Sequence, residues 1–469
     1  MKADNIFNAT NSTIFVFGAL GRYIVNFAIL VIFARILSPS DYGYWIKLLA
    51  IFSIVQLIIE AGQMNILISQ TNNFDKVFST LLTWNFTLIL FTYILLIPIL
   101  IYFLGFENYS KFTYLYIFLS LPFTLIANLL FGKVQFEKKF FLINILPFCI
   151  MFLGAIASIL YVYFVKNTFE ALAFKLFVES LISILLAVFF TGSYFYDRLP
   201  KFFEIKLLIS KLNIFTYFGD LAIKVSNHID KLFLSLILSP ALLGFYSRAY
   251  AIGIIGVSVG GYSLTTLGIQ SGASKNKKYK QTNFMSLYLA LISIVSFHLF
   301  YNYSDEILLI ILGNNWKELV SLGWIISLMP AMKFFENFFY ITCIGKGRSD
   351  IFTYTFLASY SISILIAILL YLSEYETVYV IFSLFCSALI IYLLTLMFFY
   401  ISTDSTSELR HLTFAISAIV PYLIYNSFVT SFITNFFENQ IIIISLDLLS
   451  LLIFIFLYLY IIFISRRDN

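Results

Sequence analysis

Residues 37–43 read LSPSDYG, and residues 238–244 read LSPALLG. These two runs belong to longer segments, 17–50 and 218–251, which align without a gap at a constant offset of 201. Ten of the 34 aligned positions are identical. The shared residues include a proline and a glycine, the two residue types that most strongly fix a turn. The chain is therefore predicted to consist of two related halves.

The composition indicates an integral membrane protein. Of 469 residues, 61% are hydrophobic and 11% are charged, and the mean hydropathy is +0.95. Too little polar surface is left to cover a water-soluble globule. Apolar stretches of about 20 residues, the length that crosses a bilayer as a helix, recur along the chain. We predict fourteen spans, numbered in chain order, at about 14–36, 44–69, 78–104, 112–132, 143–165, 170–192, 212–238, 241–268, 282–300, 320–343, 352–372, 377–400, 411–432 and 439–464.

The distribution of lysine and arginine predicts the orientation. If the N-terminus is cytoplasmic, eighteen of these residues fall on the inner side and only Lys111, Lys166 and Lys317 fall in outer loops. By the positive-inside rule both termini are then cytoplasmic. Topology and contact with anionic membrane lipids account for the net charge of +5, so we expect no nucleic-acid partner.

The predicted fold is all-α, with two pseudo-symmetric six-helix bundles around a central cavity. Residues 1–192 form the N-terminal bundle and residues 212–400 the C-terminal bundle. Residues 193–211 form an amphipathic cytoplasmic connector, and residues 401–469 hold spans 13 and 14, which have no counterpart in the first half. Two repeated halves related by an axis along the membrane normal are typical of transporters.

Charged residues inside the spans are the candidates for function, because a charge in the bilayer core is costly unless it meets a partner or a polar cavity. Span 7 is the richest in them. Asp220, Lys224, His228 and Lys231 are spaced by 4, 4 and 3 residues, so they share one face of a helix that must line a cavity. Asn227 and Asp230 lie in the same span.

Spans 1, 2 and 10 add further candidates. Arg22 and Asn26 are four residues apart, and Glu60 lies at a depth that matches Arg22, so these two charges are placed to pair. In span 10, Lys333 and Glu336 either neutralise each other or line the cavity.

Other charges have two interpretations. Arg35, Lys47 and Arg248 lie near outer span ends, where they either reach lipid headgroups or line the cavity. Lys175 and Glu179 favour a local pair, and His228 alone is more often a satisfied polar residue than a proton carrier. Arg22, Lys224 and Lys231 favour a cavity that accepts an anion, because guanidinium and ammonium groups bind phosphate oxygens.

Cysteine and histidine spacing predicts neither a disulfide nor a metal site. Cys149, Cys343 and Cys386 are scattered, as are the three histidines. The chain also has no nucleotide-binding glycine motif and no nucleophile with a neighbouring base, so we expect no cofactor and no enzymatic activity.

Four elements in order resemble the polysaccharide transporter family of the multidrug/oligosaccharidyl-lipid/polysaccharide (MOP) exporter superfamily. The first is the ARILSPSDYGYW turn at residues 34–45. The second combines Asn227 and Asp230 with LGFYSRAY at residues 243–250. The third is ILGNNW at residues 311–316, and the fourth is GKGR at residues 345–348. The resemblance covers about residues 10–400.

The resemblance implies a flippase in the bacterial cytoplasmic (inner) membrane. Its substrate would be an undecaprenyl-diphosphate-linked oligosaccharide, an O-antigen or capsule repeat unit, moved to the periplasmic leaflet by alternating access and an ion gradient. A polysaccharide polymerase and chain-length machinery are implied partners. The expected substrate-binding residues are Arg22, Asn26, Lys47, Lys224, Asn227, His228, Lys231, Arg248 and Lys333, and the expected ion-coupling residues are Glu60, Asp220, Asp230 and Glu336.

Two alternatives remain open at this point. A cation-coupled drug antiporter would share the fold, but would favour acidic and aromatic cavity residues over basic ones. A membrane polymerase or ligase would need a sizeable outer loop, whereas the longest outer loop is predicted at about 301–319.

Overall fold

A computed structural model describes residues 9–60, 63, 74–96, 110–136, 140–191, 228, 230–254, 294–295, 298–323, 325, 327, 329, 349–374, 379–384, 446–447, 449, 451–452 and 454–455. Within these residues the regular structure is helical and contains no strand, so the predicted all-α class is confirmed. The count of fourteen spans stays a prediction. The connector 193–211 lies outside the described residues, as does most of 401–469.

The chain divides into two compact units, Met1–Ser247 with Leu312–Asn315 and Arg248–Ile311 with Trp316–Asn469. Six long helices of the first unit follow the six predicted spans of the first half. They are α1 (Ala9–Ile36), α2 (Pro39–Glu60), α3 (Phe74–Phe91, continued by a π-helical turn, Thr92–Leu96), α4 (Lys111–Phe136), α5 (Phe140–Val165) and α6 (Thr168–Thr191).

Helix α7 (Pro240–Gly253) follows a helical segment at 230–237 and continues from the first unit into the second. The second unit also contains most of α8 (Ser304–Leu312) and of a 3₁₀ segment (Asn314–Leu322), together with α9 (Ser349–Leu372). Gly313 joins α8 to the 3₁₀ segment at a φ of 90°, a conformation that favours glycine.

Five helices among the described residues are long and apolar enough to cross a membrane, at Val77–Ile94, Lys111–Val134, Ile145–Val165, Thr168–Thr191 and Thr353–Leu372. They expose large apolar side chains: Phe164 on α5, Phe189 on α6 and Leu365 on α9 are more than half exposed. Such surfaces are stable in lipid and not in water. The protein is a multi-pass membrane protein.

The first unit is organised around α6. Helix α6 packs along α4 and α5, α1 packs along α5, and α2 and α3 contact α4. Val77, Phe78 and Leu81 of α3 meet Leu129 and Leu130 of α4 in one buried apolar cluster. Where α6 ends, the buried Lys133 ammonium donates to the carbonyl oxygen of Thr191 at 3.3 Å, which places a cation at the negative end of the helix.

Candidate functional site

The two repeated turns have the same hydrogen bonds. In the first, the backbone N–H of Leu37 donates to the carbonyl of Phe33 at 2.9 Å, and that of Tyr42 to Ser38 at 3.1 Å. In the second, Leu238 donates to Leu234 at 2.8 Å and Leu243 to Ser239 at 3.0 Å. The donor and acceptor of each hydrogen bond in the second turn lie 201 residues after those in the first, which is the offset of the repeat.

Each turn is followed by a helix that starts in the same way. The hydroxyl oxygen of Ser38 accepts the backbone N–H of Asp41 at 3.1 Å, and that of Ser239 accepts the N–H of Leu242 at 3.4 Å. Serine caps the first free N–H groups of a helix, and proline suits its first position, so Ser-Pro specifies both starts. Ser38 also donates to the Asp41 carboxylate at 2.7 Å.

The two turns lie against each other within the first unit, and the repeated glycines make the contact. A methyl group on Gly43 would lie 1.6 Å from the carbonyl oxygen of Pro240. A methyl group on Gly244 would lie 2.1 Å from the carbonyl oxygen of Pro39. The contact is reciprocal, as a pseudo-twofold relation requires, and it leaves no room for a side chain at either glycine.

The predicted cations of α1 and α2 differ in exposure. Arg22 is half-buried, whereas Asn26, one turn later, is exposed. Lys47 on α2 is half-buried, and Arg35 at the end of α1 is exposed, which fits a headgroup contact for Arg35.

Glu60 sits in a cluster of neutral polar groups from α2 and α4. Its Oε1 accepts hydrogen bonds from the amide of Gln56 at 3.0 Å and from the amide of Asn128 at 2.6 Å. Nearby in sequence, the buried Gln63 donates to the buried Asn85 of α3. The structure therefore gives this half-buried carboxylate two amide donors that the sequence did not indicate, and its pairing with Arg22 stays a prediction.

Asp230 is a second buried carboxylate in the first unit. It is 7% exposed, and its Oδ2 accepts the hydroxyl of Tyr246, which is itself buried. Its Oδ1 has no hydrogen-bond partner among the described residues. His228 and Lys231, from the predicted stripe of span 7, are half-buried close to it in sequence.

In the second unit, Arg248 is 3% exposed, which does not fit a headgroup contact. Its guanidinium lies over the ring of Trp316, 5.6 Å from the ring centre, a cation–π geometry. Arg248 and Trp316 belong to two of the sequence elements that carried the family resemblance. The structure brings these two elements together.

Five predicted site residues lie outside the described residues: Lys224, Asn227, Asp220, Lys333 and Glu336. The predicted local pair of Lys175 and Glu179 is confirmed, with 2.6 Å between Nζ and Oε1. In the part of the chain that is described, no group of three or more His, Cys, Asp or Glu residues is arranged to hold a metal ion.

Sequence reasoning did not find several buried polar contacts. Asn85 and Asn128 were overlooked because amides in apolar spans give no charge signal. Glu170, buried and bonded by the Tyr161 hydroxyl at 2.8 Å, was overlooked although a buried carboxylate is costly. His298 is one of three scattered histidines to which the sequence assigns no role, and no sequence pattern marks its partner Asp447.

The fold is that of transporters of the MOP superfamily. The lipid II flippase MurJ in its inward closed conformation matches with a TM-score of 0.69 and 15% identity, over 96% of this chain and 99% of that one. Inward-facing and outward-facing structures of a multidrug resistance MATE family transporter each match with a TM-score of 0.58. Their identities are 11% and 12%, and they cover 82% and 84% of this chain and 96% and 95% of their own.

The family model described as polysaccharide biosynthesis protein matches residues 32–321. The chain belongs to this family, and the resemblance stated from its motifs is confirmed. No curated protein matches the chain.

Proposed function

We propose that the protein is a flippase that moves a lipid-linked oligosaccharide across the bacterial cytoplasmic membrane. The lipid carrier is undecaprenyl diphosphate, and transport runs from the cytoplasmic to the outer leaflet by alternating access. The observation that carries the proposal is the combination of membership in a polysaccharide biosynthesis family with the fold of a lipid flippase over 96% of the chain. Polysaccharide synthesis at a membrane needs such a step, because the sugar headgroup cannot cross hydrocarbon unaided.

The cations of spans 1 and 7 are the proposed contacts of the diphosphate. Arg22, half-buried in α1, offers a planar set of donors that suits phosphate oxygens. Lys231 is half-buried too, and Lys224 is included from its position on the predicted stripe. The sugars need hydrogen bonds from uncharged groups, for which Asn26 and Asn227 are the candidates.

Ion coupling is assigned to two carboxylates, the half-buried Glu60 and the buried Asp230. Each is held by neutral donors, Gln56 and Asn128 for Glu60 and Tyr246 for Asp230. A carboxylate with such donors, held away from bulk water, is a group that can bind a proton or a small cation. The paired turns are proposed to close the transport path toward the outer leaflet. Release of the substrate on that side would then require these two close-packed backbone segments to separate.

The test is complementation of a bacterial strain that lacks its own exporter. Arg22→Ala should lower surface polysaccharide roughly tenfold or more, since a charge-assisted contact contributes about 1.5–3 kcal/mol. Lipid-linked repeat units should accumulate on the inner leaflet. Arg22→Lys should restore part of the activity if charge alone is needed.

Arg35→Ala is the matched control, because it removes an arginine from the same helix at an exposed position. It should leave surface polysaccharide near the wild-type level, with the same amount of protein in the membrane. Wild-type export by Arg22→Ala would contradict the assigned site. Failure of the wild-type chain to complement, together with gained resistance to cationic drugs, would favour the drug antiporter.

A further inference from the structure

Four polar side chains that are not part of the proposed diphosphate site meet in the second unit: His298, Asn302, Tyr303 and Asp447. The Oδ2 atom of Asp447 accepts the hydroxyl of Tyr303 at 2.7 Å and the amide of Asn302 at 3.0 Å. The imidazole Nε2 of His298 lies 3.2 Å from the same oxygen. The amide nitrogen of Asn302 also lies 3.4 Å from Nδ1 of His298. One carboxylate oxygen thus faces three groups from the segment 298–303.

The two titratable members of this cluster are fully enclosed. His298 is 0% exposed and Asp447 is 1% exposed. A buried carboxylate is stable when it is hydrogen-bonded and when a positive charge offsets its own. Tyr303 and Asn302 supply hydrogen bonds, and in the part of the chain that the structure describes a protonated His298 supplies the charge. The net charge of the cluster therefore depends on one proton.

The charged groups nearest to the cluster in sequence are acidic. Glu306 and Asp305 follow Tyr303 in α8, and both are exposed. Burial, the hydrogen bond to Asp447 and the charge of Glu306 all raise the pKa of Tyr303 above its usual value. Tyr303 therefore stays a neutral donor.

The cluster joins distant parts of the chain. Asn302 and Asp447 are 145 residues apart, and Asp447 belongs to span 14, one of the two predicted spans with no counterpart in the first half. Its contact with 298–303 ties that additional helix to the end of predicted span 9. In the predicted topology this end faces the outer aqueous phase.

We propose that His298 and Asp447 form a proton-binding site that fixes the C-terminal helix to the segment 298–303. With the proton bound, the imidazolium and the carboxylate form a neutral buried pair, and the contact is tight. When the proton leaves, a negative charge remains buried, and the contact loses its ionic attraction while Asn302 and Tyr303 still donate to Asp447. The site responds to pH in the range where imidazole titrates, about pH 5 to 8.

The test is the thermal unfolding midpoint of the purified full-length protein in detergent, measured across that range. The wild-type midpoint should fall by roughly 1 °C or more as pH rises through it, the size expected for about 1 kcal/mol in a chain of this length. His298→Gln keeps a polar side chain and removes the proton, so its midpoint should change much less with pH. Asp447→Asn should flatten the profile in the same way.

Tyr303→Phe is the matched control, because it removes a donor to the same oxygen without removing the titrating group. It should lower the midpoint at every pH and keep the wild-type slope. A His298→Gln variant with the full wild-type slope, or a wild-type profile without a slope, would overturn the proposal.

A second measurement covers the case in which a variant does not fold. Hydrogen exchange of wild-type peptides that contain Asp447 should be faster at high pH than at low pH, after correction for intrinsic exchange rates. Equal protection at both would also overturn the proposal. Neither readout uses a substrate, so these outcomes are separate from those of the flippase test.

Discussion

At the scale of single residues, carboxylates with little exposure and their donors are the main features. Asp230 and Asp447 are buried, Glu60 is half-buried, and each accepts hydrogen bonds from amide or hydroxyl groups. In a lipid environment such groups cannot exchange their partners for water, so losing one donor costs more than it would at a protein surface. Each donor therefore contributes to the stability of the helices that hold its carboxylate.

Asn128→Ala tests how much such a donor contributes to stability at Glu60. It removes the 2.6 Å amide bond and should lower stability by about 1.5–3 kcal/mol, the range for a hydrogen bond to a charged group. The measurement is the thermal unfolding midpoint in detergent. Thr124→Ala is the control, one turn earlier on α4, because its hydroxyl donates at 2.8 Å to the Ser120 carbonyl of the same helix. Equal effects of the two substitutions would show that the contact with Glu60 contributes nothing specific.

At the scale of elements, the paired turns combine local and long-range features of the sequence. Ser38-Pro39 and Ser239-Pro240 are local signals, since serine caps and proline starts a helix wherever they occur. The presence of glycine at positions 43 and 244 has a long-range explanation instead. These glycines sit inside helices, where glycine is unfavourable by roughly 1 kcal/mol relative to alanine, and the close approach of the opposite turn explains them.

Gly43→Ala should therefore be destabilising even though alanine is the better helix former. The added methyl group meets a backbone carbonyl, which cannot move aside as a side chain can, so we expect a loss of about 1–3 kcal/mol or more. Gly244→Ala should behave in the same way by symmetry. The yield and thermal midpoint of the folded protein in detergent measure both.

Gly21→Ala is the control for this pair. The nearest atoms to a methyl group there belong to the ring of Phe148, at 2.9 Å, and a half-buried ring can shift more easily than a backbone carbonyl. Its effect should be clearly smaller than that of Gly43→Ala. If Gly43→Ala were as stable as the wild type, the two turns would not be in the contact described here.

At the scale of the whole molecule, hydrophobic length and turn chemistry predict the helices of the first unit well. The predicted spans 112–132, 143–165 and 170–192 correspond to Lys111–Phe136, Phe140–Val165 and Thr168–Thr191. These signals are local, so they can be read without the fold. The contacts of Glu60 with Asn128 and of His298 with Asp447 join distant residues, and no local pattern marks them. Sequence could therefore name several candidate charges but not their partners.

The orientation of the whole chain is another prediction from sequence, and labelling of single cysteines tests it. Lys166 lies in the turn between α5 and α6, exposed and with a φ of 59°, so a cysteine there is accessible to a reagent. In a variant whose native cysteines are replaced by serine, Lys166→Cys should react in intact cells with a thiol reagent that cannot cross the inner membrane. Arg466→Cys, beyond the last predicted span, should react only after the membrane is opened.

We expect this labelling pattern from the charge distribution, because eighteen lysines and arginines on the outer side would violate the positive-inside rule. The reverse labelling pattern would invert the topology. The direction proposed for transport would then be wrong, because α1 would carry Arg22 to the outer half of the bilayer. The proposed proton site would face the cytoplasm, although its pH dependence in detergent would be unchanged. Topology and site chemistry are therefore separate claims, and this labelling experiment decides only the first.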